Sequence, residues 1–579
     1  MFDKATLYWP VIIVAVLLTL AACGKKDAAP VIASPLTDTS GPLRYVPADT
    51  PYILSALEPA PEDFMDKMEP KIDQLLATYR TMLKAAMAHG SHGNAEEDPD
   101  PERDAQTAAL VEELLTLLSL DGLRGAGMTR DSTAIFYGHG LLPVLRISLT
   151  DDALLDAAIS RIETQAGQSL PVGEIQDKRF RYFDADKARV ILATFDDQLI
   201  LTVIPASFDE ALLAQLLGLV LPTENIAQTS VLQEIADEYG FMTAYVGFVS
   251  TERLAATFID EPAGLNTSLL SLIGHDASNL GDVCKDEIRL LAAVMPRIVS
   301  GYDEISVEGV KSSLVVELRQ DIAAGLATIP TAVPGLGKPH AGLFSLGMSM
   351  NLMAAREFLE ARLDVLEAEP FECEKLSGFE QAVAGGRQAL SQPLPPVAYN
   401  FRGFLAVIND IEGFDFAHKT PPESIDGSFL LAMEDAPALL AFAQMMSPEL
   451  AEMSIEPDGQ PQQFELPAAQ DGIDSAWIAL SESALAVSVS PEAENVLPEI
   501  LQAESISPPP FLSMSVDAAS YYAMVGETMK RRDNELNEEM QAAIAEVLLA
   551  AGGFYDRFSI DVEFTARGIE ISGNVTLTD

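Results

Sequence analysis

The chain repeats itself. Arg189-Val190-Ile191-Leu192-Ala193-Thr194, with Leu199, Leu201, Val203 and Pro205 behind it, matches Ser475-Ala476-Trp477-Ile478-Ala479-Leu480 with Leu485, Val487, Val489 and Pro491, at a constant offset of 286 residues. Phe180 matches Phe464 at 284, and Leu154-Leu155 matches Leu439-Leu440 at 285. Further on, Phe241 to Val246 resembles Phe511 to Val516 at 270, and Gly301 to Val307 resembles Phe554 to Ile560 at 253. Five matches in one order predict a tandem duplication, with the extra residues in the first copy. In a strand, a slip of one residue turns the apolar face outward, so matched alternation demands matched strand roles. Phe180 is therefore expected on Phe464, Leu201 on Val487 and Tyr302 on Tyr555.

A chain of 579 residues is also too long for one core, because single cores stop growing near roughly 250–300 residues. The runs Ala193 to Ile204 and Ile305 to Leu318 alternate with the period of half-buried antiparallel strands. Asp151-Asp152 ahead of Ala153 to Ile162 reads as a capped helix, and Leu536, Met540, Ala543, Ile544, Val547 and Leu548 have helical spacing. Strand hairpins with helices between groups predict an α+β fold in two similar tandem halves, each a mostly antiparallel sheet packed with helices on one face. The halves are expected at 44–326 and 340–579. Between them, 327–339 holds Pro330, Pro334, Gly335, Gly337 and Pro339 and reads as a linker.

The N-terminus carries an address. Leu7 to Ala22 has no charge, but at 16 residues and with Pro10 inside it falls short of the ~20 apolar residues a spanning helix needs. It ends in Leu20-Ala21-Ala22-Cys23, which resembles the lipobox of bacterial lipoproteins. The resemblance implies that residues 1–22 are removed by signal peptidase II and that Cys23 carries a diacylglyceryl group and a further acyl chain such as palmitate. Two or more chains make a lasting anchor, so the implied partner is a lipid bilayer. The n-region Met1-Phe2-Asp3-Lys4 departs from the pattern, since Asp3 offsets its one lysine. In a Gram-negative cell, Gly24 after the cysteine resembles lipoproteins of the outer membrane facing the periplasm. Residues 23–43, rich in Ala, Pro, Ser and Thr, read as a lipidated flexible tether. Tyr45-Val46-Pro47-Ala48-Asp49-Thr50-Pro51 and the repeating plan behind it resemble an uncharacterised family of bacterial envelope proteins, which brings no activity with it.

Charge narrows the partners. With 36 Lys and Arg against 87 Asp and Glu, the net charge of −51 repels phosphate backbones and excludes nucleic acid. After Cys23 the only cysteines are Cys284 and Cys373. In an oxidising envelope such a pair is expected to form a disulfide, and no CxxC motif suggests a redox role.

No catalytic, metal or cofactor motif stands out. His89-Gly90-Ser91-His92-Gly93, followed by Glu96, Glu97, Asp98, Asp100 and Glu102, fits no zinc spacing and lacks the EF-hand glycine and terminal glutamate, so it reads as a solvated loop. His139, His275, His340 and His418 each stand alone and read as structural. Ser345 in Gly342-Leu343-Phe344-Ser345-Leu346-Gly347 misses the GxSxG spacing. Met348, Met350 and Met353 read as core filling rather than copper ligands. No P-loop or GxGxxG fingerprint follows a strand.

The expectation is a non-enzymatic envelope lipoprotein binding a partner protein, an envelope polymer or an apolar ligand. Two alternatives remain open: a hydrolase acting on envelope material, with an unmarked carboxylate pair among the acidic residues, and a purely structural tether.

Overall fold

The computed structural model describes residues 34–578 apart from 93–111, 114, 186–187, 207, 261–265, 267–268, 271–273, 414–423, 447, 471–472 and 532–537. The chain divides into two compact units, residues 1–312 and 313–579.

In the first unit the strands are β1 (Tyr52–Ala56), β2 (Ala134–His139), β3 (Leu142–Ser148), β4 (Val172–Ile175), β5 (Lys178–Ala185), β6 (Ala188–Phe195), β7 (Gln198–Pro205), β8 (Val246–Ser250) and β9 (Arg297–Ile305). They pair antiparallel throughout, in the order β4-β5-β6-β7-β3-β2-β1-β8-β9. β10 (Gly309–Glu317) spans the division between the units.

The second unit has β11 (Phe344–Ser349), β12 (Phe401–Glu412), β13 (Ser424–Met433), β14 (Gln462–Gln470), β15 (Ile473–Leu480), β16 (Ala484–Ser488), β17 (Leu512–Asp517), β18 (Tyr555–Phe564) and β19 (Gly568–Leu577). Their order is β14-β15-β16-β13-β12-β11-β17-β18-β19, again antiparallel at every step. An α+β architecture built on antiparallel sheet is thus observed.

The 286-residue offset survives in the ladders of β6–β7 and β15–β16. Leu192 faces Leu201 and Thr194 faces Leu199, while Ile478 faces Val487 and Leu480 faces Leu485. Two other matches fall on strands with like neighbours but out of register. Phe464 faces Ala476, whose partner by offset is Val190, and Val190 faces Phe183 rather than Phe180. Arg297 faces Ser250 at the foot of β9 and Arg557 faces Asp517 near the foot of β18, which sets Tyr302 level with Val562, not Tyr555. Period-two alternation repeats every second residue, so apolar marks alone slide along a strand until hydrogen-bond partners fix them.

Helices lie on both faces of each sheet, not on one as expected. In the first unit, α1 (Glu62–His92) is followed by α2 (Asp152–Ala166), α3 (Glu210–Leu216), α4 (Thr251–Ile259) and α5 (Asp282–Val294). The Asp151 carboxylate accepts from Ala153 N at the start of α2, and Gly167 closes it at φ 64°, a left-handed position suited to glycine. Leu155, Ala158 and Ile159 of α2 pack on Leu145, Ile147 and Leu199. The opposite face carries Arg146, whose Nη2 donates to the carbonyl of Leu216 in α3. Strands clad on both sides need apolar residues at successive positions, which is how Leu199-Ile200-Leu201 reads.

The second unit contributes α6 (Gln320–Leu326), α7 (Leu352–Ala368), α8 (Gly378–Ser391), α9 (Ala436–Met446), α10 (Ala493–Gln502), α11 (Ala518–Arg531) and α12 (Glu538–Gly552). Ala493, Leu497 and Leu501 of α10 pack with Leu405, Leu430, Ala479 and Ala486 on one face. Leu440 of α9 packs with Ile478 and Leu480 on the other. α7 engages α6 through Phe358 against Gly325, and α8 through Leu363 against Gly386 and ion pairs from Arg387 to Asp364 and Glu367. Among the described residues no helix is long and apolar enough to cross a membrane.

The segments read as a linker and as a flexible tether both contribute buried residues. Val333 and Leu336, from the expected linker, are buried in the α10 core. Leu36 and Leu43, from the expected tether, are buried, and Tyr45 just beyond lies under the guanidinium of Arg146 at 3.9 Å. Proline and glycine shape turns in both, but the apolar residues between them anchor the turns to a core.

Candidate functional site

The site follows from one inversion of pattern. Along β11, Ser345, Gly347 and Ser349 are buried, while the larger Phe344, Leu346 and Met348 on the other face stay half-buried. Pairing carries this second face across the sheet. Leu346 faces Ala406 and Met514, Phe344 faces Ile408 and Val516, Met348 faces Phe404 and Leu512, and Ala406 faces Phe429. Past a bulge at Asn409, Ile411 opposite Ile425 extends it. Phe429 is 44% exposed, and its ring stacks with that of Phe404 at 6.0 Å.

Helices close this face at its flanks. α9 sits over β13 and β16, where Leu440 joins a cluster with Leu431, Leu485 and Val487 packed against it. α11 sits over β18, with the Tyr522 ring 6.3 Å from that of Phe558, which faces Val516 and so shares the apolar side. α9 has no charged residue and leaves Phe442, Met445 and Met446 exposed, Met445 by 84%. A contiguous apolar surface of this kind marks an interaction site more often than a bare exterior.

The first unit carries a smaller counterpart. Leu54, 41% exposed, faces Phe136 and Gly247, and the Tyr52 ring stacks on Phe136 at 5.6 Å. Burial pushes the Tyr52 hydroxyl up to about 12.

The residues singled out in the sequence lie apart from one another. Cys23, His418 and the acidic run from Glu96 to Glu102 fall outside the described residues. His89 and His92 belong to the last turns of α1. Cys284 and Cys373 are joined in a disulfide. His139 is buried at the end of β2, and burial holds its imidazole below the ordinary value. His275 bonds the Phe258 carbonyl at 2.7 Å, and His340 bonds that of Gly335 at 3.1 Å. Ser345 is buried in mid-strand. Met348 lines the apolar face, and Met350 and Met353 follow it into α7.

Two groups of acids were not marked by any motif. Asp151, Asp152 and Asp197 bring carboxylate oxygens within 4.8 Å of one another, but Asp151 caps α2 and Asp152 accepts from Asp197 N. On β18, Asp561 and Glu563 share the face opposite the apolar one. Burial raises both carboxyls, and Asp561 and Glu570 push Glu563 further. Asp561 Oδ1 is buried with no hydrogen-bond partner.

Compared with protein families, with curated proteins and with solved structures, the chain matches none.

Proposed function

We propose that this chain is a lipid-anchored protein of the bacterial cell envelope that works by binding rather than catalysis, and that the apolar sheet face of its second unit is where it binds. The observation that carries the binding reading is Phe429, 44% exposed on β13 at one side of the face that Phe344, Leu346, Met348, Phe404, Ile408 and Met514 continue across β12, β11 and β17. Holding such side chains half in water forgoes burial at about 25 cal/mol per Å², a cost that a binding partner recovers. The anchor rests on Leu20-Ala21-Ala22-Cys23, and an outer-membrane location facing the periplasm rests on Gly24.

The two units are proposed to be copies of one fold. The support is that β5-β6-β7-β3-β2-β1-β8-β9 and β14-β15-β16-β13-β12-β11-β17-β18 run in the same order with the same antiparallel neighbours. The counterpart surface around Leu54 then belongs to the first copy.

Both parts are testable. Cys23→Ser should abolish lipidation and release the mature chain from membranes. Intact mass of the wild type with a normal signal cut and no lipid would reject the anchor. For the face, the full chain should brighten the neutral apolar dye Nile red, and Phe429→Asp should remove most of that signal while the melting curve stays intact. Equal dye binding by both proteins would reject the site. The hydrolase alternative has one observation in its favour, the raised carboxyls of Asp561 and Glu563, since a general acid needs such a shift.

A further inference from the structure

We infer that Met445 and Met446, at the end of α9, form an oxidation site: a peroxide converts their thioethers to sulfoxides, and that change weakens apolar binding on this side of the second unit. The effect on binding rests on the role proposed for the sheet face that α9 flanks, whereas the chemistry at sulfur stands on exposure.

Exposure singles the pair out. Met445 is 84% exposed and Met446 75%, and every other methionine whose burial is described is buried or half-buried. Met65, Met68 and Met433 are buried in cores, and Met348 and Met514 on the apolar sheet face are half-buried. α9 turns Ala436 and Leu440 inward, and Phe442, Met445 and Met446 follow at the spacing of a single outer stripe. The Gln444 amide donates to the carbonyls of Leu450 and Met453, both at 3.1 Å, which ties the end of the helix to the turn behind it and leaves the two sulfurs in water.

A thioether reacts with a peroxide without the help of a base. The sulfur lone pair attacks one peroxide oxygen and the O–O bond breaks. The displaced hydroxide takes the proton left on the transferred oxygen and departs as water. Sulfur loses two electrons and the peroxide gains them. Reaction therefore follows access to the sulfur, and it turns a flexible apolar side chain into a polar one.

The position of α9 gives that change a consequence. The helix has no charged residue, and Phe442 beside the pair is 48% exposed, so its end is apolar until oxidised. Leu440 clusters with Leu431 and Val487, and Val487 faces Phe429, so α9 lies on the Phe429 side of the sheet. Two sulfoxides place polar oxygens at the margin of the apolar face. A ligand that covered them would have to strip their water without replacing its hydrogen bonds.

The test treats the full chain with hydrogen peroxide and reads it by peptide mass mapping and by Nile red. Met445 and Met446 should each gain one oxygen about tenfold faster than Met348 and Met514. At a dose that oxidises the pair and spares those two, the dye signal of the wild type should fall by about twofold, and Met445→Leu with Met446→Leu should lose that response. Faster oxidation of Met348 or Met514 would overturn the site. Selective oxidation of the pair with an unmoved dye signal, or an equal fall in the double variant, would overturn the effect on binding, and the face would still stand if Phe429→Asp removes the signal. If neither oxidation nor Phe429→Asp moves the dye, the effect and the binding face both fall.

Discussion

The Ser428 hydroxyl donates to the Ser488 hydroxyl at 2.9 Å across adjacent strands, and Ser488 in turn donates to the carbonyl of Gly427 at 3.0 Å. Both serines are buried, so neither hydroxyl can turn to bulk water. Removing one side of such a bond strands its partner at a cost of ~1–3 kcal/mol, whereas removing both leaves less unsatisfied. Ser488→Ala should destabilise by about that amount, and the double variant with Ser428→Ala should cost less than the two singles added together. Urea unfolding of the four proteins measures the coupling, and strict additivity would contradict it.

The next two residues of β13 point to opposite faces and should respond unequally. Leu430 is 1% exposed within the α10 core, while Phe429 is 44% exposed. Leu430→Ala should cost ~2–5 kcal/mol as a cavity-forming change. Phe429→Ala should cost less than about 1 kcal/mol, in the range of ordinary surface substitutions. Denaturation midpoints that ranked the two the other way round would show that the Phe429 face is covered.

The strand β11 explains how far the sequence could be read. Alternation marked strand, but the runs Ala193 to Ile204 and Ile305 to Leu318 each fold back at a turn, after Phe195 and after Ile305, and the Leu199–Thr194 pairing recurs as Leu485–Leu480 at the 286 offset. Which face is the core did not follow. In Phe344 to Ser349 the large residues would be assigned inward by pattern, yet Ser345, Gly347 and Ser349 are the more buried. Small residues admit close approach of the Val333–Leu336 turn, and a Cβ on Gly347 would come within 2.4 Å of Leu336. The apolar face was illegible for the same reason, because residues waiting for a partner and residues packed in a core have the same composition. Proline and glycine between Ala327 and Pro339 signalled a linker, and Val333 and Leu336, which hold that segment down, were too few to break the signal.

Acid should destabilise the first unit through His139. Burial is the largest cause lowering its imidazole, the Arg146 guanidinium adds to that, and Nδ1 has no hydrogen-bond partner. The folded chain therefore binds this proton less readily than the unfolded chain, whose histidine titrates near ~6.5. Its contribution is present above that value and is lost as pH falls below it toward the depressed folded value. Melting temperature should drop from pH 7.5 to pH 5.5, and His139→Gln should flatten part of that slope. His340, lowered mainly by burial, supplies another part, so a variant lacking both histidines should be flatter still. An unchanged slope in the double variant would assign the acid response elsewhere.

The disulfide offers the last measurement. Cys284 lies in α5 and Cys373 between α7 and α8, with about 90 residues enclosed, so closing that loop restricts the unfolded chain by roughly 4–5 kcal/mol on the chain-entropy model. Reduction, or Cys284→Ser with Cys373→Ser, should lower the free energy of unfolding by up to that amount. Each unit has a hydrophobic core of its own, so the reduced chain should still fold. Native protein should resist alkylation at both cysteines until reduced. The double variant should melt lower by several degrees and lose the difference between oxidising and reducing buffers. Rapid labelling of unreduced protein, or a melting curve that ignores reductant in the wild type, would contradict the bond as a source of stability.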